Sequence, residues 1–310
     1  MTERMDAIGK AARDNLGTGH ADRAPVLWFG GKGKLARKIV PLLPRGRVYV
    51  EPFMGAASVF FHLPRPRPVE VLNDIDGELV NLFRVLQCPD TFRSFCHRVT
   101  WTPYARAEFI RALQSPMDAD PVTRAWAFFV RQNQGFGGKA NTPGDWGRVF
   151  TVSGGMAEQT AKWRARLAML PRWHDRLTRV QLDSRDALDV IAYWDTPDTV
   201  FYIDPPYVHD TRAGNIGVYA AEMSDANHAA LVDAIRDAKG QCVVSGYAHP
   251  IYEPLETGPW RRVDFETTSH AAGRVRGSSI KDGNAPRRVE TLWIKEHDNG
   301  RYPLFAGLGD

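Results

Sequence analysis

Cysteine is scarce in this 310-residue chain: Cys88, Cys96 and Cys242 are the only three, and no C-x-x-C spacing occurs. An odd, scattered set excludes a disulfide framework or a cysteine zinc site and fits reduced thiols. No apolar run approaches the roughly 20 residues that a membrane-spanning helix needs, so a spanning segment is excluded. Residues 1–24 are polar, without an apolar signal core, and read as a loose leader of a cytosolic protein. The absence of G-x-G-x-x-G disfavours a dinucleotide, and G-x-x-x-x-G-K-[ST] finds no match. Internal repeats and low-complexity tracts are also missing.

What is present is an ordinary globular composition, 43% hydrophobic and 25% charged, in a chain long enough to bury a sizeable core. The net charge is only +4, but it is unevenly placed. Residues 115–179 carry ten Lys/Arg against five Asp/Glu, and residues 270–288 carry five against one. Two basic concentrations of this kind are what a polyanionic partner requires. An unevenly charged solvated face is the plainer alternative.

Element patterns alternate between apolar runs and helical spacing, which predicts an α/β fold with a parallel sheet. Strands are expected at 47–53, 69–72, 180–182, 200–203 and 242–244, with a closing pair at 262–265 and 289–294. Helices are expected at 34–43, from the small-residue turn 54–58 through 63, at 77–87 and at 225–238. Between 89 and 176 the patterns are helical or Gly-rich. The chain therefore divides into a leader (1–24), an α/β domain (25–88 and 177–298), a helical insertion (89–176) and a tail (299–310).

Four segments carry chemistry. Asp204-Pro205-Pro206-Tyr207 follows the apolar run Thr199-Val200-Phe201-Tyr202-Ile203, so its carboxylate belongs at the carboxyl edge of a buried strand, where open α/β sheets bind ligands. Asp204, the Pro205 carbonyl and the Tyr207 ring suit a planar ring bearing an exocyclic amine: two acceptors for its protons and a face to stack on. A proline turn with a capping Asp is the plainer reading. Glu51-Pro52-Phe53-Met54-Gly55-Ala56-Ala57 leads from a strand through small residues into a helix, a turn that lets a ligand approach backbone. Asp74 ends the next strand, where it could accept ribose hydroxyls or cap the helix beginning near Asp76. Trp28-Phe29-Gly30-Gly31-Lys32 joins aromatics, glycines and a cation ahead of a helix.

In this order the four segments resemble the Dam-like family of DNA adenine-N6 methyltransferases, over roughly residues 25–87 and 180–294. Ser245-Gly246-Tyr247 is similar to a further family element. The resemblance implies a Rossmann-like methyltransferase sheet with an inserted helical target-recognition domain, S-adenosylmethionine as methyl donor, and double-stranded DNA as partner. Trp28, Lys32, Asp74 and Asp204 would contact the donor, with Glu51, Phe53 and Gly55 in its pocket. Asp183 or Asp186 would lie near the donor's adenine, a choice the sequence leaves open. Where the family often has Gly, this chain has Ala57, which is expected to change pocket shape rather than activity.

The insertion would then read the target through Arg131, Asn133 and Lys139, residue types that reach base edges and phosphates. A second basic loop, with Arg274 and Arg276, would grip the backbone beside a flipped-out base. His209, Asp210, Thr211 and Arg212 would form a wall of the active site. The expected reaction is in-line transfer to adenine N6, needing neither metal nor catalytic cysteine. The setting would be bacterial or phage-encoded, and the sequence leaves open whether a cognate restriction endonuclease accompanies it in a restriction-modification system. Alternative readings are a cytosine-N4 or RNA amine methyltransferase and a non-catalytic nucleic-acid-binding subunit.

Overall fold

The computed structural model describes residues 23–28, 30–136, 142–208, 223–268 and 287–295. Its centre is a seven-stranded sheet of order β5-β2-β1-β6-β7-β9-β8. Strands β1 (Val48–Glu51), β2 (Val69–Asn73), β5 (Gln181–Asp183), β6 (Thr199–Ile203) and β7 (Gln241–Gly246) run parallel. β9 (Arg287–Lys295) pairs antiparallel with β7, and β8 (Trp260–Thr268) with β9. All five residues of β6 are buried, as expected of a strand covered on both faces. Alternate side chains serve the two faces. Tyr49, Val200 and Tyr202 join one apolar cluster, while Val50, Phe201 and Ile203 join the other.

Strand order sets the location of the cleft. From β1 the chain builds outward through β2 to β5, then returns to start β6 on the other side of β1. The carboxyl ends of β1 and β6 therefore part at a topological switch point, where a crevice opens. Short helix α2 (Ser58–Phe61) lines it through Ser58 and Val59, after α1 (Ala36–Ile39) and before α3 (Gly77–Gln87). Asp76 caps α3 by accepting from Glu78 N and Leu79 N, and Leu79, Leu82, Phe83 and Leu86 bury its inner face.

Among the described residues four α-helices follow α3 before β5: α4 (Pro89–Thr100), α5 (Arg106–Leu113), α6 (Pro121–Gln134) and α7 (Glu158–Leu177). Pro89 and Pro121 open α4 and α6, where a missing N–H costs nothing. An exposed hairpin, β3 (Val152–Ser153) and β4 (Met156–Ala157), turns at Gly154 and Gly155, both with positive φ. These helices share the apolar cluster of one sheet face. Phe95, Phe129, Trp163 and Trp173 continue the packing of Tyr49, Leu72 and Phe83. On the opposite face lie α8 (Ala187–Trp194) and α9 (Asp225–Asp237), through Val190, Ile191, Leu231 and Ile235. Lys295 ties α9 to β9, donating to the carbonyls of Ile235, Arg236 and Ala238 at the helix's carboxyl end. Among the described residues no helix is long and apolar enough to cross a membrane.

The structure corrects the reading of the leader at its described end. Trp173 Nε1 donates to Arg23 O at 2.7 Å, and Arg166 to Ala24 O and Pro25 O at 2.8 and 3.1 Å. Residues 23–25 are held by α7, because buried donors there need backbone acceptors. The remainder of the leader lies outside the described residues.

Candidate active site

Trp28, Lys32, Glu51, Phe53, Gly55, Asp74, Asp186 and Asp204, drawn from five separate stretches of chain, line one cleft at the switch point. Pro205 and Pro206 line it too, and Ile75, Leu188 and Met223 add apolar surface. Asn73 fixes the floor. Its amide donates to Pro52 O and Arg185 O, and its oxygen accepts from Arg185 N, so the ends of β1, β2 and β5 are stitched together.

The turn after β1 is tight for a reason. Gly55 has φ 48°, and a Cβ there would come within 2.9 Å of the Trp28 indole. Its N–H donates to Asp74 Oδ2 at 2.9 Å, while Asp74 Oδ1 accepts from Asp76 N at 3.0 Å. Asp74 thus braces the turn against the cleft, and the cap of α3 falls to Asp76. Ala57 is the one described non-glycine residue at positive φ, 54°. The position where glycine is common in the resembled family is therefore one where a Cβ is strained.

Burial governs the acids. It pushes Glu51 up to about 8, against the hydrogen bonds from Tyr49 OH (2.7 Å) and Phe60 N (2.8 Å). It pushes Asp74 up to about 6, against its backbone donors. Asp204 also rises to about 6 through burial, opposed by Lys32 and reinforced by the like charge of Glu290.

Lys32 holds the acceptor side together. Its ammonium, 4% exposed, donates to Asp204 Oδ1 at 2.5 Å, Tyr207 OH at 3.0 Å and Gly30 O at 3.2 Å, and lies 3.3 Å from Glu290 Oε1. Burial alone would lower this amine, but Asp204 and then Glu290 outweigh it and leave it well above its ordinary value. Tyr207 donates to Glu290 Oε2 at 3.1 Å and stacks on Tyr247, ring centroids 4.4 Å apart. Tyr207 itself is not part of the cleft lining.

Comparison with known proteins adds the chemistry. Residues 28–252 match the D12 class N6 adenine-specific DNA methyltransferases. The chain belongs to that family. Its relatives include the DNA adenine methylase of Escherichia coli (strain K12), 27% identical over 280 residues, or 87% of this chain and 94% of the relative. The DNA adenine methylase of Vibrio cholerae is 28% identical over 222 residues (68% and 75%), and that of Salmonella typhi 27% over 203 (64% and 69%). Membership makes this chain an adenine-specific DNA methyltransferase with a Rossmann-like fold, and does not favour the cytosine, RNA or non-catalytic alternatives.

For a D12 class enzyme, several sequence assignments look different in place. Asp186 rather than Asp183 reaches the cleft, and it also caps α8 by accepting from Leu188 N. Asp183 turns to Arg185, which donates to it at 2.6 and 2.9 Å. Asn133 is not available to a base. It is buried in the last turn of α6, and its amide donates to Pro25 O and Phe129 O. Arg131 is half-buried, its guanidinium 6.0 Å from the Phe128 ring. Lys139, Arg274, Arg276 and residues 209–212 lie outside the described residues. Sequence reasoning missed Glu290 altogether; its only signal was an acid inside the apolar run of β9.

Proposed function

We propose that the cleft binds S-adenosylmethionine and that Asp204-Pro205-Pro206-Tyr207 receives an adenine turned out of duplex DNA. The observation that carries this reading is the meeting of Asp74, Asp186, Phe53 and Asp204 in one cleft at the sheet's switch point. The residues fit a cationic nucleoside donor. Buried acids favour a positive ligand, whose charge would in turn favour their ionised forms. Apolar Phe53, Ile75 and Leu188 suit a flat base, and the acids suit ribose hydroxyls. When bound, the donor supplies a methyl group on a sulfonium, already activated for displacement.

The chain's own residues do the rest. Lys32 holds Asp204 through Oδ1, leaving Oδ2 to accept from the exocyclic amine. With the Pro205 carbonyl as second acceptor, the nitrogen lone pair is drawn out of the ring, and charge developing on nitrogen is stabilised in place. Tyr207, backed by Tyr247, forms an aromatic wall beside the amine. Arg131, Lys139 and the basic stretch of residues 270–288 would hold DNA. Such an enzyme works where DNA is, in the cytoplasm of a bacterium, and a cognate endonuclease would give it a restriction-modification role.

Incubating the protein with labelled donor and duplex DNA, then separating the nucleosides, tests the reading. N6-methyladenine is expected. Label in cytosine, or in none, would refute it.

A further inference from the structure

Glu290 is a buried acid beside the cleft that the roles above leave unused. It is 2% exposed, on β9 behind the cleft. The antiparallel register that pairs Gly246 with Thr291 brings it to Ser245, whose hydroxyl donates to Oε1 at 2.9 Å. Tyr207 OH donates to it at 3.1 Å, and Lys32 Nζ lies 3.3 Å away, the same ammonium that holds Asp204 at 2.5 Å. Two carboxylates, Glu290 buried and Asp204 part-buried at the cleft, thus share one buried cation.

We propose that Glu290 is a positioning residue for methyl transfer: through the shared Lys32 it keeps Asp204 a strong acceptor for the substrate amine, and it fixes the Tyr207 phenol. The proposal rests on Asp204 as the acceptor of the adenine amine. An ammonium belonging to Asp204 alone would withdraw charge from it and blunt its accepting power. Divided between two acids, the same ammonium neutralises each only in part. The like charge of Glu290 raises Asp204, after the larger effect of burial and against Lys32. Other titratable groups facing Asp204 are Tyr202 on β6, Tyr207, Tyr252 and, from β1, Glu51. Glu51 is the further carboxylate among these, and its own partners are Tyr49 and Phe60 rather than Lys32.

The test is single-turnover methylation of duplex DNA across about pH 5 to 9 by the full chain, wild type and Glu290→Gln, with KM for donor and DNA. Gln keeps the shape and removes the charge. Its acidic limb is expected to move to lower pH by roughly half to one unit, since a like charge has gone. Its plateau should fall about three- to tenfold, since a weaker base is a weaker acceptor, with both KM values within about twofold. Glu290→Asp, which keeps the charge, should retain the wild-type limb. Ser245→Ala guards against misfolding of E290Q. With one donor fewer, Glu290 draws more on Lys32, and the limb should move to higher pH. A limb that stays put in E290Q, or that stays or falls in S245A, overturns the proposal, because lost packing lowers the rate at every pH alike. Wild-type formation of N6-methyladenine in the same assay stands or falls separately, so failure of the proposal is told apart from failure of the underlying reading.

Discussion

The two sides of the cleft both bury acids, but they answer them differently. On the donor side Glu51 and Asp74 receive fixed dipoles: Phe60 N, Tyr49 OH, Gly55 N and Asp76 N. On the acceptor side Asp204 and Glu290 share an ammonium. Dipoles supplied by the fold brace a turn without supplying a counter-charge, so those acids rise and suit a cationic ligand. The ammonium works against burial as those dipoles do, and Asp204 still rises to about 6, but as a full counter-charge in contact it favours the ionised form of Asp204, the form that accepts. The difference teaches that binding and chemistry within one cleft rest on separate electrostatic devices.

That contrast can be broken at several points. Asp204→Ala should lower methyl transfer by at least about 10²–10³, the scale for losing a preorganised electrostatic partner, while DNA binding by gel shift stays near wild type. Retained turnover would remove Asp204 from the mechanism. Lys32→Met strands the buried Glu290 and the part-buried Asp204, and about 3–5 kcal/mol of stability should be lost in urea unfolding at neutral pH. A loss under about 1 kcal/mol, typical of a solvated pair, would mean that the acids are not sequestered.

On the donor side the expected effects are smaller. Glu51 is raised from 4.5 to about 8, so its protonated form contributes stability that is complete below about pH 4.5 and is lost as pH climbs through about 8. Thermal stability should accordingly decline from about pH 4.5 to 8, and Glu51→Gln should flatten that slope, melting at least about 2 °C above the parent at the alkaline end. Equal slopes would show that Glu51 does not titrate there. The smallest effect is expected for Ala57→Gly. Relief of the left-handed Cβ, less the entropy glycine adds to the unfolded chain, should stabilise by about 0.5–1 kcal/mol in thermal unfolding. A destabilised variant would show that the buried methyl matters more than its strain.

Much of the donor side was legible because it is local. Residues 51–57 and Asp74 sit at the ends of apolar runs, and a strand end followed by small residues or an acid announces itself. The same holds for α3, whose predicted limits match the observed Gly77–Gln87. Helix α8 was missed, although Asp186 before Ala187 was a usable cap signal. On the acceptor side Asp204-Pro205-Pro206-Tyr207 was legible as a strand end in the same way, but the long-range partners around it were not. Lys32 meets Asp204 only through the fold, so sequence suggested a donor contact and the structure adds a carboxylate clamp. Glu290 became visible only with the β7–β9 register, and Asn133 was misread because helical phase, unlike residue type, decides which way an amide faces.

The placement of β9 has a consequence for how the enzyme is made. β8 has β9 as its one neighbour in the sheet, yet it leaves the ribosome first. Until residues 287–295 arrive, β8 has no berth and Lys32 lacks one of its two acids. Assembly of the sheet therefore runs out of chain order, and a nascent chain acquires both acids around Lys32 only once β9 has been made.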